Sequence, residues 1–224
     1  MQAAEATPPA AHEHGHHHGP ITWPQDPFIA RASALKVGMW IFLLSDAFTF
    51  AGLLLTYGVL RAANRVWQQP GEPPFGINFT AALTFLLICS SVTMVMAVAA
   101  CRAGHRAKTL TFLGLTILGG VLFLTGQFHE YFGIGTEGLV AEGLVFGASH
   151  RATTFFVVTS FHGFHVFAGV VIMSVMFVKT LQGKYDHGNH DALEATGLFW
   201  HFVDLVWILV FTFVYLIPEP GVMP

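Results

Sequence analysis

Charged side chains are scarce in this chain of 224 residues: only 10% are Asp, Glu, Lys or Arg, whereas 54% are hydrophobic. A soluble domain normally carries about 25% charged residues, which cover its water-facing surface. The composition therefore excludes an ordinary soluble globular domain. The formal net charge of −3 and the scattered Lys and Arg residues also exclude a basic surface for nucleic acid.

Cysteine and recognisable catalytic motifs are equally scarce. Cys89 and Cys101 lie 12 residues apart on one predicted helix, which is roughly 18 Å along its axis. A disulfide requires Cα atoms within about 7 Å, so we expect no bond within that helix and two small packing residues. The chain has no Walker, HExxH, CxxC or nucleophile-elbow motif and no internal repeat typical of transporters.

Long apolar segments are abundant, and five of them reach the length of about 20 residues that a membrane-spanning helix needs. They predict an all-α integral membrane bundle with a transmembrane domain over residues 33–218. Pro218 and Pro220 are expected to close the last helix, because proline cannot continue one. The predicted helices cover about residues 35–60, 78–101, 109–128, 153–181 and 195–217.

The distribution of Lys and Arg predicts the orientation, because cytoplasmic loops of membrane proteins are enriched in these residues. It places the N-terminus in the cytoplasm, and the C-terminal tail, residues 219–224, in the periplasm. Seven basic residues fall on the predicted cytoplasmic side and three on the other. The seven are Arg31, Lys36, Arg102, Arg106, Lys108, Lys179 and Lys184, and the three are Arg61, Arg65 and Arg151.

Residues 1–32 are polar and of low complexity, which predicts a disordered His-rich cytoplasmic tail and linker. They contain no apolar signal-peptide core, so the first transmembrane helix is expected to direct membrane insertion. Metal binding by the tail is an open alternative to a plain solvated segment. Its histidines include His12, His14, His16, His17 and His18.

The first predicted helix carries a carboxylate, Asp46, about 11 residues from its start and so roughly 16 Å deep. A charge near the bilayer centre costs roughly 2.5–3.5 kcal/mol on insertion scales, so such residues usually face the bundle interior. Two hypotheses stay open: a protonated Asp46 that hydrogen-bonds a neighbouring helix, and a functional carboxylate.

Two pairs of polar residues share helix faces, because the members of each pair are three residues apart. His162 and His165 lie on the fourth predicted helix, and His201 and Asp204 on the fifth. The histidines could ligate a metal or haem, or could hydrogen-bond to adjacent helices. The spacing favours hydrogen bonding, and it indicates a paired His201 and Asp204.

A third polar group, in the segment GQFHEY, contains Gln127 and Glu130 at the end of the third predicted helix. These residues are expected near the outer membrane interface, where Tyr131 is also at home. Ordinary solvation at that interface is the reading that the spacing favours.

The longest motifs carry a resemblance to a known family. TTFFVVTSFHGFHVFAG, GLFWHFVDLVWILVFTFVYL, KVGMWIFLLSDAFTFAGL and GQFHEY resemble segments of subunit III of the haem–copper terminal oxidases, over about Lys36–Ile217. The chain looks like the short, five-helix bacterial form, whereas longer members have seven helices.

The resemblance implies a bundle in the bacterial inner membrane that holds structural phospholipid and carries no haem or copper. It implies packing against the catalytic subunit I, which contains those cofactors, beside subunit II and small subunits. Subunit I reduces O2 to water and pumps protons, and subunit III is expected to support proton uptake and stability during turnover. His162, His165, His201 and Asp204 then become interhelix hydrogen-bonding groups. The same polar network is expected to include Gln127, Glu130, His190 and Glu194.

The resemblance does not fix the electron donor. Asp46 corresponds to a buried carboxylate of the family, and an Asp there, like the His-rich tail, resembles quinol oxidases. Gln127 with Glu130, and His190 with Glu194, look more like cytochrome c oxidases, which we favour. The residues alone also leave open a haem-b electron-transfer protein, a transporter coupled to protons through Asp46, and an accessory subunit of nitric oxide reductase.

Overall fold

The computed structural model describes residues 34–64, 66–133, 138–184 and 190–217. Its five helices are all long and apolar enough to cross a membrane, as predicted. The predicted His-rich tail, Arg31, Arg65, Pro218, Pro220 and residues 219–224 lie outside the described residues. The helices are α1 (Ala34–Ala63), α2 (Ile77–Arg102), α3 (Arg106–Phe132), α4 (His150–Leu181) and α5 (Asp191–Val210), followed by a π-helical turn (Phe211–Leu216).

Several helix ends differ from the sequence-based bounds by three or four residues; α3 ends at Phe132 and α5 begins at Asp191, for example. Two of the differences have a clear local reason. α4 begins at His150 because the hydroxyl of Ser149 accepts the Ala152 backbone N–H at 2.9 Å and caps the helix. The last segment was expected to be one helix to Ile217. Its final turn instead widens into the π-helical turn, which contacts α2.

α5 is the central helix of the bundle, since it packs against α1, α2 and α4 while α3 packs between α2 and α4. The outer faces expose large apolar side chains such as Trp40, Phe48, Phe85 and Phe164. Such an apolar surface would cause aggregation in water, but it is the surface expected of a protein that contacts lipid acyl chains.

Trp200 of α5 contacts three other helices at the centre of the bundle. Its ring fills a slot between Gly120 of α3 and Gly169 of α4, where an added Cβ would lie 2.8 Å from the ring in each case. Its indole N–H donates to the Ser90 hydroxyl of α2 at 3.1 Å. Small residues thus allow the close helix approach on which membrane bundles depend.

Both cysteines are free thiols: Cys89 is exposed and Cys101 is buried. The turn between α2 and α3 is short because Gly104 adopts a left-handed conformation with φ of 73°. The ion pairs of Glu194 with Lys36 and Arg102 place the starts of α1 and α5 at this same end of the bundle, beside Cys101 and the start of α3. We call it the Lys36 end. The opposite end, where α1 and α3 finish, is the Glu130 end.

Candidate functional site: buried polar groups between the helices

Asp46 of α1 and His165 of α4 form a buried pair in the middle of the bundle. The Asp46 Oδ1 lies 3.3 Å from the His165 Nε2, and the side chains of both are only 9% exposed. The His165 Nδ1 lies 2.8 Å from the Phe161 carbonyl oxygen, which can only accept, so Nδ1 carries a hydrogen. The contact between Nε2 and Oδ1 therefore needs one more proton, held either by an imidazolium or by a protonated Asp46.

Aromatic rings enclose this pair. The Phe50 ring centroid lies 5.2 Å from that of His165, and Phe161 lies 4.7 Å away. Among the described residues the second oxygen of Asp46, Oδ2, has no hydrogen-bond partner. The pair is thus an apolar-walled site that can hold one proton between two helices.

His162 lies one turn away and is fully buried, but the structure gives its ring nitrogens no hydrogen-bond partner within the described part of the chain. Its ring instead packs against Trp207 at a centroid distance of 4.7 Å and against the edge of Phe123 at 5.8 Å. The expected interhelix hydrogen bond of His162 is therefore replaced by aromatic packing.

His201 and Asp204 of α5 both face Ser91 of α2. The Ser91 hydroxyl lies 2.6 Å from the His201 Nδ1 and also neighbours the Asp204 carboxyl. The hydroxyl, rather than a direct contact between the two side chains, joins this group. His165 and His201 thus have different partners, and the described residues contain no group of three or more His, Cys, Asp or Glu placed to hold a metal.

Glu130 of α3 is the centre of a buried hydrogen-bonded cluster near the end of the bundle. Its Oε1 lies 3.0 Å from the Thr80 hydroxyl of α2, and its Oε2 accepts from the Tyr215 hydroxyl at 3.1 Å. The Gln127 amide donates to the same Oε2 at 3.3 Å. Glu130 and Gln127 are buried, so the interface solvation that spacing alone favoured is wrong. The bond from Thr80 to Glu130 instead joins α2 to α3.

Glu194 and His190 lie at the opposite end, in the first turn of α5. Glu194 accepts from Lys36 of α1 at 2.5 Å and from Arg102 of α2 at 2.7 Å. His190 lies 3.4 Å from the Cys101 sulfur through its Nδ1. The cluster fastens the starts of α1 and α5 to the end of α2.

Arg151 forms the most buried ion pair of the described residues, and the sequence reasoning counted it only as a loop charge. Its Nη1 lies 3.2 Å from the Glu72 Oε2, and the two side chains are 1% and 7% exposed. Both terminal nitrogens also reach the Pro73 carbonyl at 3.2 Å, and the guanidinium stacks on Phe75. Glu72 is the single acidic residue in the loop GEPP, and this feature of the sequence could have indicated a partner for Arg151.

Arg61 has a similar role that the sequence reasoning also missed. From the last turn of α1 it donates to the Ile217 carbonyl at 2.9 Å and to the Tyr57 hydroxyl at 3.1 Å. Tyr57 in turn donates to the Val214 carbonyl at 3.3 Å. These bonds satisfy carbonyls at the π-helical turn and hold it against α1.

Sequence comparison places these groups in a known protein family. A family profile described as cytochrome c oxidase subunit III matches residues 24–218. The chain belongs to the cytochrome c oxidase subunit III family. The family resemblance and the multi-pass membrane character expected from the sequence are thereby confirmed.

Relatives in this family serve two kinds of oxidase. Cytochrome c oxidase subunit 3 of Synechocystis is 34% identical over 91% of this chain and 79% of its own length. The subunit of the same name from Corynebacterium diphtheriae is 34% identical over 84% of this chain and 90% of its own. Cytochrome bo(3) ubiquinol oxidase subunit 3 of Pseudomonas aeruginosa is 32% identical over 92% of both chains. The chain is thus similar to subunits of terminal oxidase complexes.

Proposed function

We propose that this subunit III is a non-redox accessory subunit of a proton-pumping cytochrome c oxidase. It packs against the catalytic subunit I, whose haem and copper reduce O2 to water, in a complex with subunit II and small subunits. The observation that carries this proposal is the family match along residues 24–218.

We place the protein in the bacterial inner membrane with its N-terminus in the cytoplasm. The excess of Lys and Arg at the Lys36 end supports this orientation. The Lys36–Glu194–Arg102 cluster then lies at the cytoplasmic interface, and Glu130 lies toward the periplasm. Proton uptake from the cytoplasm is accordingly assigned to the half of the bundle between Lys36 and Asp46.

Asp46 is the residue through which we expect the subunit to support proton uptake. The geometry of the pair with His165 retains one proton, in an apolar environment where an isolated charge would be unstable. A buried carboxyl whose pair keeps its proton can support proton conduction by the partner subunit without transferring a proton itself.

Asp46→Ala is expected to leave assembly largely intact but to reduce sustained turnover or lipid retention. The loss in the free energy of unfolding should be about 1–3 kcal/mol, the cost of leaving the buried His165 Nε2 without its hydrogen-bond partner. Turnover over many cycles, proton pumping and lipid content of the purified complex are the measurements. Asp46→Glu, which restores a carboxyl, is the control, and unchanged values in Asp46→Ala would defeat the proposed role.

A groove at the Lys36 end is where we expect a structural phospholipid. It has a volume of about 280 Å³ and an apolar wall that includes Val95, Val98 and Leu198. Its polar lining consists of His201 and of Lys36 and Arg102, which both pair with Glu194 in the groove. Apolar walls for an acyl chain below polar groups for a head group fit a phospholipid at the membrane interface.

Gly197→Leu is expected to expel lipid from this groove. An added Cβ at Gly197 would make ordinary contacts with Val98 at 3.4 Å and Met94 at 3.5 Å, so the remaining carbons enter the groove. Native mass spectrometry of the purified complex should show one lipid fewer. Gly163→Leu is the matched control, because a Cβ there meets no atom within 4 Å; equal lipid content in both variants would argue against this site.

A quinol oxidase is the second candidate. The similarity to the ubiquinol oxidase subunit of P. aeruginosa over 92% of both chains favours it, as does an Asp at position 46. The purified complex should oxidise reduced cytochrome c if the first proposal holds. Oxidation of ubiquinol alone would select the second.

A further inference from the structure

Glu130 is a buried carboxyl at the end of the bundle opposite to Lys36, and the proposed function assigns it no role. In the described part of the chain, its three hydrogen-bond partners are the neutral side chains of Thr80, Gln127 and Tyr215. The other ionisable group that faces it there is Tyr131 of α3. No cation therefore fixes the charge of this carboxyl among the described contacts.

The Thr80 hydroxyl can serve both charge states of Glu130. It lies 3.0 Å from the Glu130 Oε1 and 3.1 Å from the Gly76 carbonyl oxygen. With an ionised Glu130, Thr80 donates its hydrogen to the carboxylate. With a protonated Glu130, the carboxyl donates to Thr80, which turns its own hydrogen to Gly76. Rotation of one hydroxyl thus keeps both Glu130 oxygens hydrogen-bonded when a proton is gained or lost, which avoids the cost of an unpaired buried carboxyl oxygen.

Tyr215 contacts both this carboxyl and a cavity at the same end of the bundle. It donates to the Glu130 Oε2 and also lines an open cavity of about 350 Å³, together with Gln68, Phe75 and Arg151. That volume is far above the roughly 10–15 Å³ needed for one water molecule. Tyr215 as a whole is only 4% exposed, and a proton path through its hydroxyl takes water in this cavity as the exchange partner.

The position of Tyr215 depends on the π-helical turn. Each residue advances about 100° around an α-helix, so a regular helix through Phe211–Leu216 would turn Tyr215 away from its present direction. Tyr57 and Arg61 hold the turn by bonding the Val214 and Ile217 carbonyls. Single π turns are frequent at functional sites, and here the turn places the Tyr215 hydroxyl beside the buried Glu130 carboxyl.

We propose that Glu130 is a proton-exchange site that communicates through the Tyr215 hydroxyl with the cavity at its end of the bundle. Release begins when the carboxyl proton lies on Oε2 and the Tyr215 hydroxyl has turned its hydrogen from Oε2 to a cavity water. The Tyr215 oxygen then accepts the carboxyl proton and passes its own hydrogen to that water. The tyrosine is neutral before and after, Glu130 becomes a carboxylate, and the water carries the proton away. Uptake runs in reverse. This site is separate from Asp46 and does not depend on the role proposed for that residue.

Infrared difference spectroscopy of the purified complex tests this proposal. A pH step, and separately a transfer from H2O to D2O, should change the C=O band of one protonated carboxylic acid in the wild type. Glu130→Gln should abolish that band while keeping a side chain of the same shape. Glu142→Gln, which removes an exposed carboxyl at the same end, should retain it.

Tyr215→Phe removes only the connecting hydroxyl, so the band should remain but exchange with deuterium several-fold more slowly. If Glu130→Gln does not assemble, Thr80→Val keeps the carboxyl and should shift the band by removing the rotating hydroxyl. Wild-type and Glu130→Gln spectra without a difference would overturn the proton site, as would a band unmoved in Thr80→Val. Wild-type exchange rates in Tyr215→Phe would overturn the route through Tyr215.

Discussion

Replacing Arg151 by Met is expected to lower the free energy of unfolding by about 3–5 kcal/mol, the usual cost of removing one partner of a buried ion pair. The substitution leaves the Glu72 carboxylate, whose side chain is only 7% exposed, without its cation and with the Gln69 backbone N–H as its remaining described donor. It also removes the bonds to the Pro73 carbonyl. Thermal unfolding of the detergent-solubilised full chain should show the loss.

Arg102→Met is the matched control, because it also removes an arginine that pairs with a glutamate. The side chain of Arg102 is 60% exposed, so the loss should be at most about 1 kcal/mol. The double variant Arg151→Met with Glu72→Leu should recover much of the stability, since no charge is left buried. Equal effects of Arg151→Met and Arg102→Met would contradict a structural role for the buried pair.

Gly169→Leu is expected to cost about 3 kcal/mol or more, because overpacking a filled core forces side chains or helices apart. The added Cβ alone would lie 2.8 Å from the Trp200 ring and 3.3 Å from the Phe199 ring. Trp200 cannot move aside easily, since Gly120 of α3 closes the slot and Ser90 of α2 accepts its N–H. The yield of folded protein and its unfolding temperature in detergent are the measurements.

Gly163→Leu gives the comparison on the same helix, since it adds the same side chain where the described structure leaves open space. Its unfolding temperature should stay close to that of the unchanged protein. Comparable destabilisation by the two substitutions would show that the effect belongs to α4 itself. The slot around Trp200 would then lose its assigned role in packing.

The five helices could be predicted because each segment that crosses a bilayer needs a long run of apolar residues, which is visible in the sequence. About 20 apolar residues must form a helix there, since no water is present to satisfy free backbone groups. The π-helical turn at Phe211–Leu216 could not be predicted in this way. It depends on bonds from Tyr57 and Arg61, which are more than 150 residues away in the chain.

The candidate site was predictable as a set of residues, but its partners were not. Burial cost identified Asp46 as a residue needing an explanation, and helical spacing identified His165. Their pairing across α1 and α4 requires the packing of the two helices, which periodicity does not give. Spacing alone wrongly favoured solvation for Glu130 for the same reason, because a carboxyl near a helix end is solvated or buried according to what packs above it. Here Tyr215 covers it.

Purification of the full chain from its native membrane in mild detergent, followed by an optical spectrum and mass spectrometry of the partners, tests the central claim most directly. Co-purification of a large subunit that contains haem and copper and reduces O2 is the predicted result, and the remaining partners should identify the electron donor. A chain that purifies alone and colourless would contradict the account in favour of a transporter. A chain that is alone but carries haem would contradict it in favour of a haem-b protein.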